Sequence, residues 1–305
     1  MRPAWSVLFL TTLIGAGQGL FLALFTADVL VPVEGRFLAE GAIVAVGLLL
    51  AGLVASFFHL GRPERAWRSA AMWRTSWLSR EVIVLPLFMA AVFAWAVSRY
   101  FVSRETQLIL GITGVALAMA LFVCTGMVYA CLKFLQEWHT PLTVINYTTL
   151  GCASGLTAAV ALAAWLQPGL VRPFASAAFF VGAAAYLGRV AALARNARLR
   201  PRSTLASAIG VKHPRIRQIA QGAMGGSFNT REFFHGRPRE VVRAVRWTFL
   251  ALAFPIPALL LLFSESSGVL IGAAFVLQYA GLLAERWYFF AEARHPQNLY
   301  YQAIA

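Results

Sequence analysis

The chain has 305 residues, of which 60% are hydrophobic and only 12% are charged. Soluble globular domains carry about 25% charged residues, so this composition excludes a soluble protein with a water-covered surface. The formal net charge is +14. That charge does not indicate nucleic-acid binding, because a basic cytoplasmic face and contact with anionic membrane lipid account for it.

Eight mostly apolar segments follow one another along the chain. Each has about 20 residues, enough for a helix to cross a bilayer, and a backbone in hydrocarbon must satisfy its hydrogen bonds within the segment. Pro255 and Pro257 permit a kink in the seventh segment. The predicted fold is an all-α integral membrane bundle of eight transmembrane helices in a single domain, residues 1–305. The predicted limits of the spans are 5–27, 38–60, 81–102, 107–132, 143–166, 174–194, 246–264 and 268–291.

Arginine is concentrated in alternate connections between these spans, chiefly in residues 61–80 and 195–245. Lys and Arg accumulate in the cytoplasmic loops of membrane proteins. Both termini lie on the same side as these connections, so we expect them in the cytoplasm, with the chain in a bacterial inner membrane. The 195–245 connection is too long for a plain turn, and Gly225, Gly226 and Gly236 indicate ordered loop or short helices that dock a partner.

Ionisable and aromatic residues meet at one predicted membrane boundary. His59 is expected to close the second span, and Ser79 and Glu81 to open the third, so that His59 and Glu81 lie at one face. Trp67, Trp73 and Trp77 lie near them. A titratable group at this level suits a quinone ring, which exchanges protons as electrons move. Interfacial anchoring by His and Trp, with a capping Ser79 and a first-turn Glu81, is the alternative.

Cysteine and histidine are too few for a metal centre of the chain's own. Cys124, Cys131 and Cys152 form no C-x-x-C pair, whereas an iron–sulfur cluster needs about four thiolates and zinc a comparable set. A haem of the cytochrome b type needs two axial histidines within spans. Only His59 and His139 lie near the bilayer, both at its edge, so no haem is expected.

A family resemblance rests on two runs, HLGRPERA at residues 59–66 and WLSRE at residues 77–81. Together they resemble the H-L-G-x-P-x-R-A…S-x-E pattern of the dimethyl sulfoxide reductase membrane-anchor family (DmsC type), whose eight-span plan is similar over nearly the whole chain. Tyr129 stands where the family tends to carry a tyrosine late in its fourth span. The chain departs from the family at residue 80, where the family often has Asn and this chain has Arg80.

A third run, KFLQEWHTPLT at residues 133–143, is similar to the sulfite-oxidising (SoeC) branch of that family. His139 in this run is expected to line a quinone pocket or to meet an iron–sulfur subunit. The alternative is a polar turn between two spans, with Pro141 at the start of the next helix.

The resemblance implies a function within a complex. Family members anchor a molybdopterin catalytic subunit and an iron–sulfur subunit and exchange electrons with the quinone pool, so a quinone-reactive anchor is expected. The quinone would be ubiquinone or menaquinone, and molybdopterin and iron–sulfur clusters would belong only to the partner subunits. Sulfite dehydrogenase is the expected complex, with a dimethyl sulfoxide reductase anchor, a purely structural anchor and a transporter as alternatives.

Residue roles follow from the same resemblance, in which His59 and Glu81 match the quinol-site His and Glu of the family. The expected quinone-binding residues are His59, Arg62, Trp77, Ser79, Glu81, Tyr129 and His139. The expected partner-docking residues are Arg65, Arg68, Arg74, Arg80, Arg237 and Arg239.

Polar residues inside the spans have a structural interpretation. Gln18, Arg189 and Gln278 are expected to join helices, because polar side chains do so in membranes, with a hydrogen bond to a ligand as the alternative. Glu285 and Arg286, adjacent near the end of the last span, are expected to mark the membrane interface, with proton delivery as the alternative.

Overall fold

The computed structural model describes residues 1–213, 215–217, 219–220, 235–263 and 267–300. All regular elements in these ranges are helical, and eight segments are long and apolar enough to cross a membrane. This confirms the predicted all-α bundle of eight membrane helices. Gly225 and Gly226, expected in a docking loop, lie outside the described residues, as does residue 264 at the predicted end of the seventh span.

The membrane helices follow in chain order, the seventh span being built from two of them. They are α1 (Trp5–Leu30), α2 (Gly35–Phe57), α3 (Trp77–Phe101), α4 (Arg104–Ala130), α5 (Pro141–Leu166), α6 (Val171–Ala197), α8 (Arg239–Leu252), α9 (Pro255–Phe263) and α10 (Gly268–Glu292). Shorter helices are α7 (Leu205–Ile209) and α11 (Pro296–Tyr300), with 3₁₀ segments at Pro63–Ala70 and Pro168–Leu170.

The third span begins four residues earlier than predicted, at Trp77 rather than residue 81. Its cap is Ser76, whose hydroxyl accepts a 3.3 Å hydrogen bond from the backbone N–H of Ser79. The interpretation of Ser79 as the cap was therefore wrong, because Ser76 occupies the cap position and accepts from the amide of Ser79, the third residue of the helix. Glu81 consequently lies in the second turn and not at the opening of the helix.

Most other boundaries differ from the prediction by two to three residues, and two of the differences affect the interpretation of the chain. The second helix ends at Phe57, so His59 lies just beyond it and does not close the span. The seventh begins at Arg239, seven residues before the predicted start, because its first turns are helical but charged and escape a hydropathy criterion. Between α8 and α9 the helix breaks at residues 253–254, before Pro255 and Pro257, which have no N–H to donate.

The bundle is packed around α1 and α5, which cross at very close range. A Cβ atom on Gly155 would lie 2.0 Å from the carbonyl carbon of Gly19, and one on Gly19 would lie 2.2 Å from the carbonyl oxygen of Gly151. Only glycine permits this backbone approach, which is typical of membrane helix interfaces. Next to this crossing, the buried ring of Phe21 packs edge-on against Phe88 and Trp95.

The connections alternate between two ends of the bundle. The end that we call the basic end carries the N-terminus, the described residues after α10, the connections 58–76 and 131–140, and the described parts of the connection 198–238. Contacts join these pieces: the amino group of Met1 donates to the carbonyl oxygens of Phe290 and Ala293, and Gln136 accepts from the backbone N–H of Arg202. The concentration of arginine predicted for one side therefore lies at a single end of the molecule.

Candidate functional site

The carboxylate of Glu81 is buried near the basic end. It lies on the face of α3 that packs into the bundle, one turn before Leu85, and is only 8% exposed. The hydroxyl of Thr125 on α4 donates a 2.6 Å hydrogen bond to its Oε1. Among the described residues, no group donates a hydrogen bond to Oε2 of Glu81. One oxygen is thus fixed by the protein and the other is available to a ligand.

His59 lies at the same end but in a different setting. It is exposed, in the turn after α2, and its backbone N–H points back to the carbonyl of Ser56. Partial burial lowers the pKa of its imidazole below the ordinary value of 6.5, so the ring is neutral at pH 7. In the part of the chain that the structure describes, no hydrogen bond joins His59 to Glu81.

The connection between α2 and α3 exposes aromatic and basic side chains together. Phe58 and Trp67 are 83% and 70% exposed. Four of the predicted arginines are also exposed: Arg62, Arg65, Arg68 and Arg74. The connection therefore presents a mixed surface of the kind found in the cores of protein interfaces.

Arg80 differs from the other arginines of this region because its contacts are internal. Its Nε and terminal nitrogen donate to the carbonyl oxygens of Trp73 and Arg74 at 2.9 Å and 2.8 Å. Its guanidinium lies 4.3 Å from the ring centroid of Trp77. Arg80 thus ties the connection to the start of α3, and its docking role stays a prediction.

Tyr129 belongs to an aromatic cluster one helical turn from Thr125. Its ring stacks on Tyr147 of α5 at 5.5 Å between centroids and packs edge-on against Phe289 and Phe290 of α10. Residues four apart on a helix share a face, so Thr125 brings Glu81 to one edge of this cluster. The sequence alone shows that Thr125 and Tyr129 share a face of α4. It does not show that this face meets Glu81 on α3.

His139 is exposed and holds the end of α4. Its Nδ1 lies 2.6 Å from the carbonyl oxygen of Ala130, and because a carbonyl can only accept, Nδ1 carries the proton. Pro141 begins α5 and Thr140 caps it, as the polar-turn alternative expected, two residues before the predicted span limit at residue 143. A ligand-binding role of His139 stays a prediction.

A buried ionic cluster joins α6 to α10 at the basic end. Glu285 lies 2.7 Å from Arg189 through one oxygen and 2.7 Å from Arg286 through the other. Arg189 also lies 3.8 Å from Glu292, which accepts a hydrogen bond from Asn196. Glu285 and Arg286 are both turned into the bundle and are at most 4% exposed, and their expected place at the membrane interface stays a prediction.

The other polar residues of the spans join helices as predicted. Gln18 donates to the carbonyl oxygen of Ala118 on α4 at 2.9 Å. Gln278 donates to the carbonyl oxygen of Ala253 at 3.4 Å, at the break between α8 and α9. Arg189 is paired with Glu285, 96 residues away in the chain, which no local pattern indicates.

A groove of ≈ 810 Å³ opens at the basic end beside the ionic cluster. Arg237 and Arg239, two of the predicted docking residues, line it together with Glu292 and Asn196. The groove therefore brings the arginine-rich chain before α8 to the end of α10.

A protein-family model described as "DMSO reductase anchor subunit (DmsC)" matches residues 1–292. The chain belongs to this family. A relative from Allochromatium vinosum, named as a sulfite dehydrogenase subunit, is 53% identical over 325 aligned residues, which cover the whole of both chains. The eight apolar helices and the family together make the chain a multi-pass membrane anchor subunit and give no support to the transporter alternative.

Proposed function

We propose that this chain is the membrane-anchor subunit of a molybdopterin sulfite dehydrogenase and passes electrons between an iron–sulfur subunit and membrane quinone. The similarity to the sulfite dehydrogenase subunit of Allochromatium vinosum, over the full length of both chains, carries the proposal. The DMSO reductase anchor family supports the broader role of an anchor within an oxidoreductase. Both similarities extend over the helices that hold Glu81 and its partner Thr125.

The surroundings of Glu81 fit a quinone ring. An ionisable side chain in a membrane helix is costly and usually functional, and among the described residues no protein group donates to the second oxygen of Glu81. A quinone, when bound, supplies two-electron chemistry that is coupled to two protons. Glu81 would hold or release a proton at Oε2, and Thr125 would fix the carboxyl group for that exchange. The neutral imidazole of His59 would hydrogen-bond a ring oxygen from the connection side.

The basic end suits an iron–sulfur partner with an acidic surface. Exposed arginine and aromatic side chains are enriched at protein interfaces, and the 58–76 connection presents both. Arg237 and Arg239 extend the same charge to the groove beside α10. A partner docked here would bring its clusters close to Glu81, since Glu81 lies two turns or fewer from this end of α3.

The basic end is proposed to face the cytoplasm. The support is the concentration of Arg at this end and the positive-inside rule. Fusion of a reporter after Ala305 tests it: green fluorescent protein should fluoresce there, and alkaline phosphatase should be inactive. Active phosphatase at that position would reverse the orientation.

The complex can be tested as it exists in the cell. Pull-down of the tagged chain in mild detergent should recover two larger subunits together with molybdenum and iron, and the complex should oxidise sulfite with an artificial dye. The Glu81→Gln variant should lose quinone-coupled turnover, whereas Glu105→Gln, an exposed carboxylate at the opposite end, should keep it. Full quinone-coupled turnover in Glu81→Gln would contradict the role of Glu81. Reduction of dimethyl sulfoxide without sulfite oxidation would replace the substrate while leaving the anchor role.

A further inference from the structure

Buried polar groups extend from the groove at the basic end into the bundle. Glu292 lines the groove and is 17% exposed at its side chain. Asn196 donates to Glu292 at 3.2 Å, and behind them lies the Arg189–Glu285–Arg286 cluster. The charges of two arginines and two glutamates balance, so a proton that enters this cluster meets no net positive barrier.

A small polar cavity lies inside the same cluster. It measures ≈ 10 Å³ and shares two lining residues, Glu137 and Asn196, with the groove, so the two cavities are adjacent. Such a volume is about the least that holds one water molecule. Asn146, Tyr147 and Arg286 line it on the inner side.

The cavity walls carry polar atoms that lack protein hydrogen bonds. Among the described residues, Asn146 Oδ1, the Tyr147 hydroxyl and one terminal nitrogen of Arg286 are buried without a well-aligned hydrogen-bond partner. Since buried polar groups nearly always find a partner, a bound water that contacts several of them is the simplest arrangement.

The inner wall of the cavity leads towards Glu81. The guanidinium of Arg286 lies 3.9 Å from the ring centroid of Tyr147, which holds that ring in place. Tyr147 stacks on Tyr129, and Tyr129 lies one turn from Thr125, the hydrogen-bond donor to Glu81. The hydroxyl-bearing side chains of Tyr147, Tyr129 and Thr125 thus lie between the cavity and the carboxylate of Glu81.

We propose that these groups form the route by which protons pass between water in the groove and Glu81. The route rests on the proposed function of Glu81 as the proton-exchanging group of a quinone site. Reduction of one quinone consumes two electrons and two protons. The iron–sulfur partner supplies the electrons, and the protons enter from water in the groove. Oxidation of a quinol returns the two electrons to the partner and the two protons to the groove. Arginine cannot be deprotonated in proteins, so the carriers are Glu292, the cavity water and the hydroxyls of Tyr147 and Tyr129.

The test uses the intact complex and the Tyr147→Phe and Glu292→Gln variants. Tyr147→Phe removes the hydroxyl but keeps the stacked ring. Positioned proton transfer contributes about 10²–10⁴-fold to a rate, but water can partly replace a lost carrier. In both variants we therefore expect the ratio of quinone-coupled to dye-coupled turnover to fall about ten-fold or more. The loss should affect kcat and not KM. Added formate, a small proton carrier, should restore part of the loss in Glu292→Gln. Tyr279→Phe, which removes a partly buried hydroxyl 3.1 Å from that of Thr12, is the control and should leave the ratio unchanged.

A second readout does not depend on turnover. A cryo-electron microscopy map of the complex should show an ordered water between Asn146, Tyr147 and Arg286. An empty cavity, in a map that shows ordered waters elsewhere in the bundle, would overturn the route, and so would an unchanged turnover ratio in both variants. If Glu81→Gln abolishes quinone-coupled turnover while these variants do not lower it, only the route fails. If Glu81→Gln retains turnover, the quinone-site role fails and the route with it.

Discussion

Thr125 on α4 donates a 2.6 Å hydrogen bond to Oε1 of Glu81 on α3, and both side chains are buried. A hydroxyl has one proton to donate, so this bond commits Thr125 to Glu81 and fixes the rotation of the carboxyl group. The bond therefore also fixes the direction in which the other oxygen of Glu81, Oε2, points. Thr125 is thus a positioning residue that the family motif does not contain.

Thr125→Val should lower quinone-coupled turnover without preventing assembly. The two side chains have similar shapes, and the loss of a hydrogen bond to a charged group costs about 1.5–3 kcal/mol, which corresponds to roughly ten-fold or more in kcat/KM. Steady-state kinetics with a soluble quinone analogue would measure it.

Thr113→Val is the matched control, because Thr113 is also on α4 but is exposed and bonds only to the carbonyl of its own helix at Ile109. Thr125→Ser should keep most of the activity. Equal rates for Thr125→Val and the wild type would show that the hydrogen bond does not orient Glu81 for the reaction.

The span pattern could be predicted from the sequence because it depends on local composition. Hydropathy places the first helix at 5–27, against Trp5–Leu30 in the structure. Hydropathy does not detect the start of a helix whose first residues are charged, as at Arg239, because it reports how apolar a segment is and not whether its backbone is helical. Ser76 and Ser79 are both plausible caps by residue type, and only the hydrogen bond shows that Ser76 is the cap.

The polar contacts between helices could not be predicted in the same way. Glu81 meets Thr125 across 44 residues, and Arg189 meets Glu285 across 96. Such pairs depend on which helices are neighbours and on their rotation, neither of which a single hydropathy pattern contains. The sequence places the adjacent charges Glu285 and Arg286 near the end of the last span, but it does not show that both side chains face the bundle.

Asp28→Asn should destabilise the end of the bundle opposite the basic end. Asp28 at the end of α1 accepts from Arg99 of α3 at 2.9 Å and from Arg104 of α4 at 2.7 Å, so it joins three helices. The side chains of Asp28 and Arg99 are 6% and 5% exposed. Removal of one partner from a buried pair leaves an uncompensated charge and costs about 3–5 kcal/mol.

Thermal unfolding of the purified complex in detergent would detect this loss as a lower Tm. Glu40→Gln breaks the exposed Arg36–Glu40 pair, in which Arg36 is 80% exposed, and should barely change the Tm. If both variants unfold at the wild-type temperature, the Asp28 cluster does not stabilise the bundle.

The pH dependence of quinone-coupled turnover should reflect His59. Burial lowers the pKa of His59 below 6.5 because it disfavours the imidazolium form. As the pH falls, the folded protein therefore takes up this proton later than an unfolded chain does, and His59 stays neutral until the pH is below 6.5. Turnover that needs the neutral ring should decline with a midpoint below pH 6.5.

The measurement is a pH profile of the quinone-coupled rate divided by the dye-coupled rate. His59→Gln, which keeps a hydrogen-bonding side chain but does not titrate, should remove this acid limb. His213→Gln alters an exposed histidine in the connection after α7 and should leave the profile unchanged. A midpoint above pH 6.5, or an acid limb that persists in His59→Gln, would contradict the prediction.

Gly155→Ala should separate α1 from α5 and destabilise the whole bundle. The new Cβ would lie 2.0 Å from the carbonyl carbon of Gly19 and 2.1 Å from the backbone nitrogen of Leu20, and backbone atoms cannot rotate away as a side chain can. Overpacking of a tight core costs about 1–3 kcal/mol, and sometimes more.

Gly182→Ala on α6 is the matched control, because among the described residues no atom outside the backbone of its own helix lies within 4 Å of the added Cβ. Since alanine favours a helix over glycine by about 1 kcal/mol, Gly182→Ala should keep or raise the Tm, whereas Gly155→Ala should lower both the Tm and the yield of complex. Equal melting temperatures for the two variants would mean that α1 and α5 do not approach each other this closely.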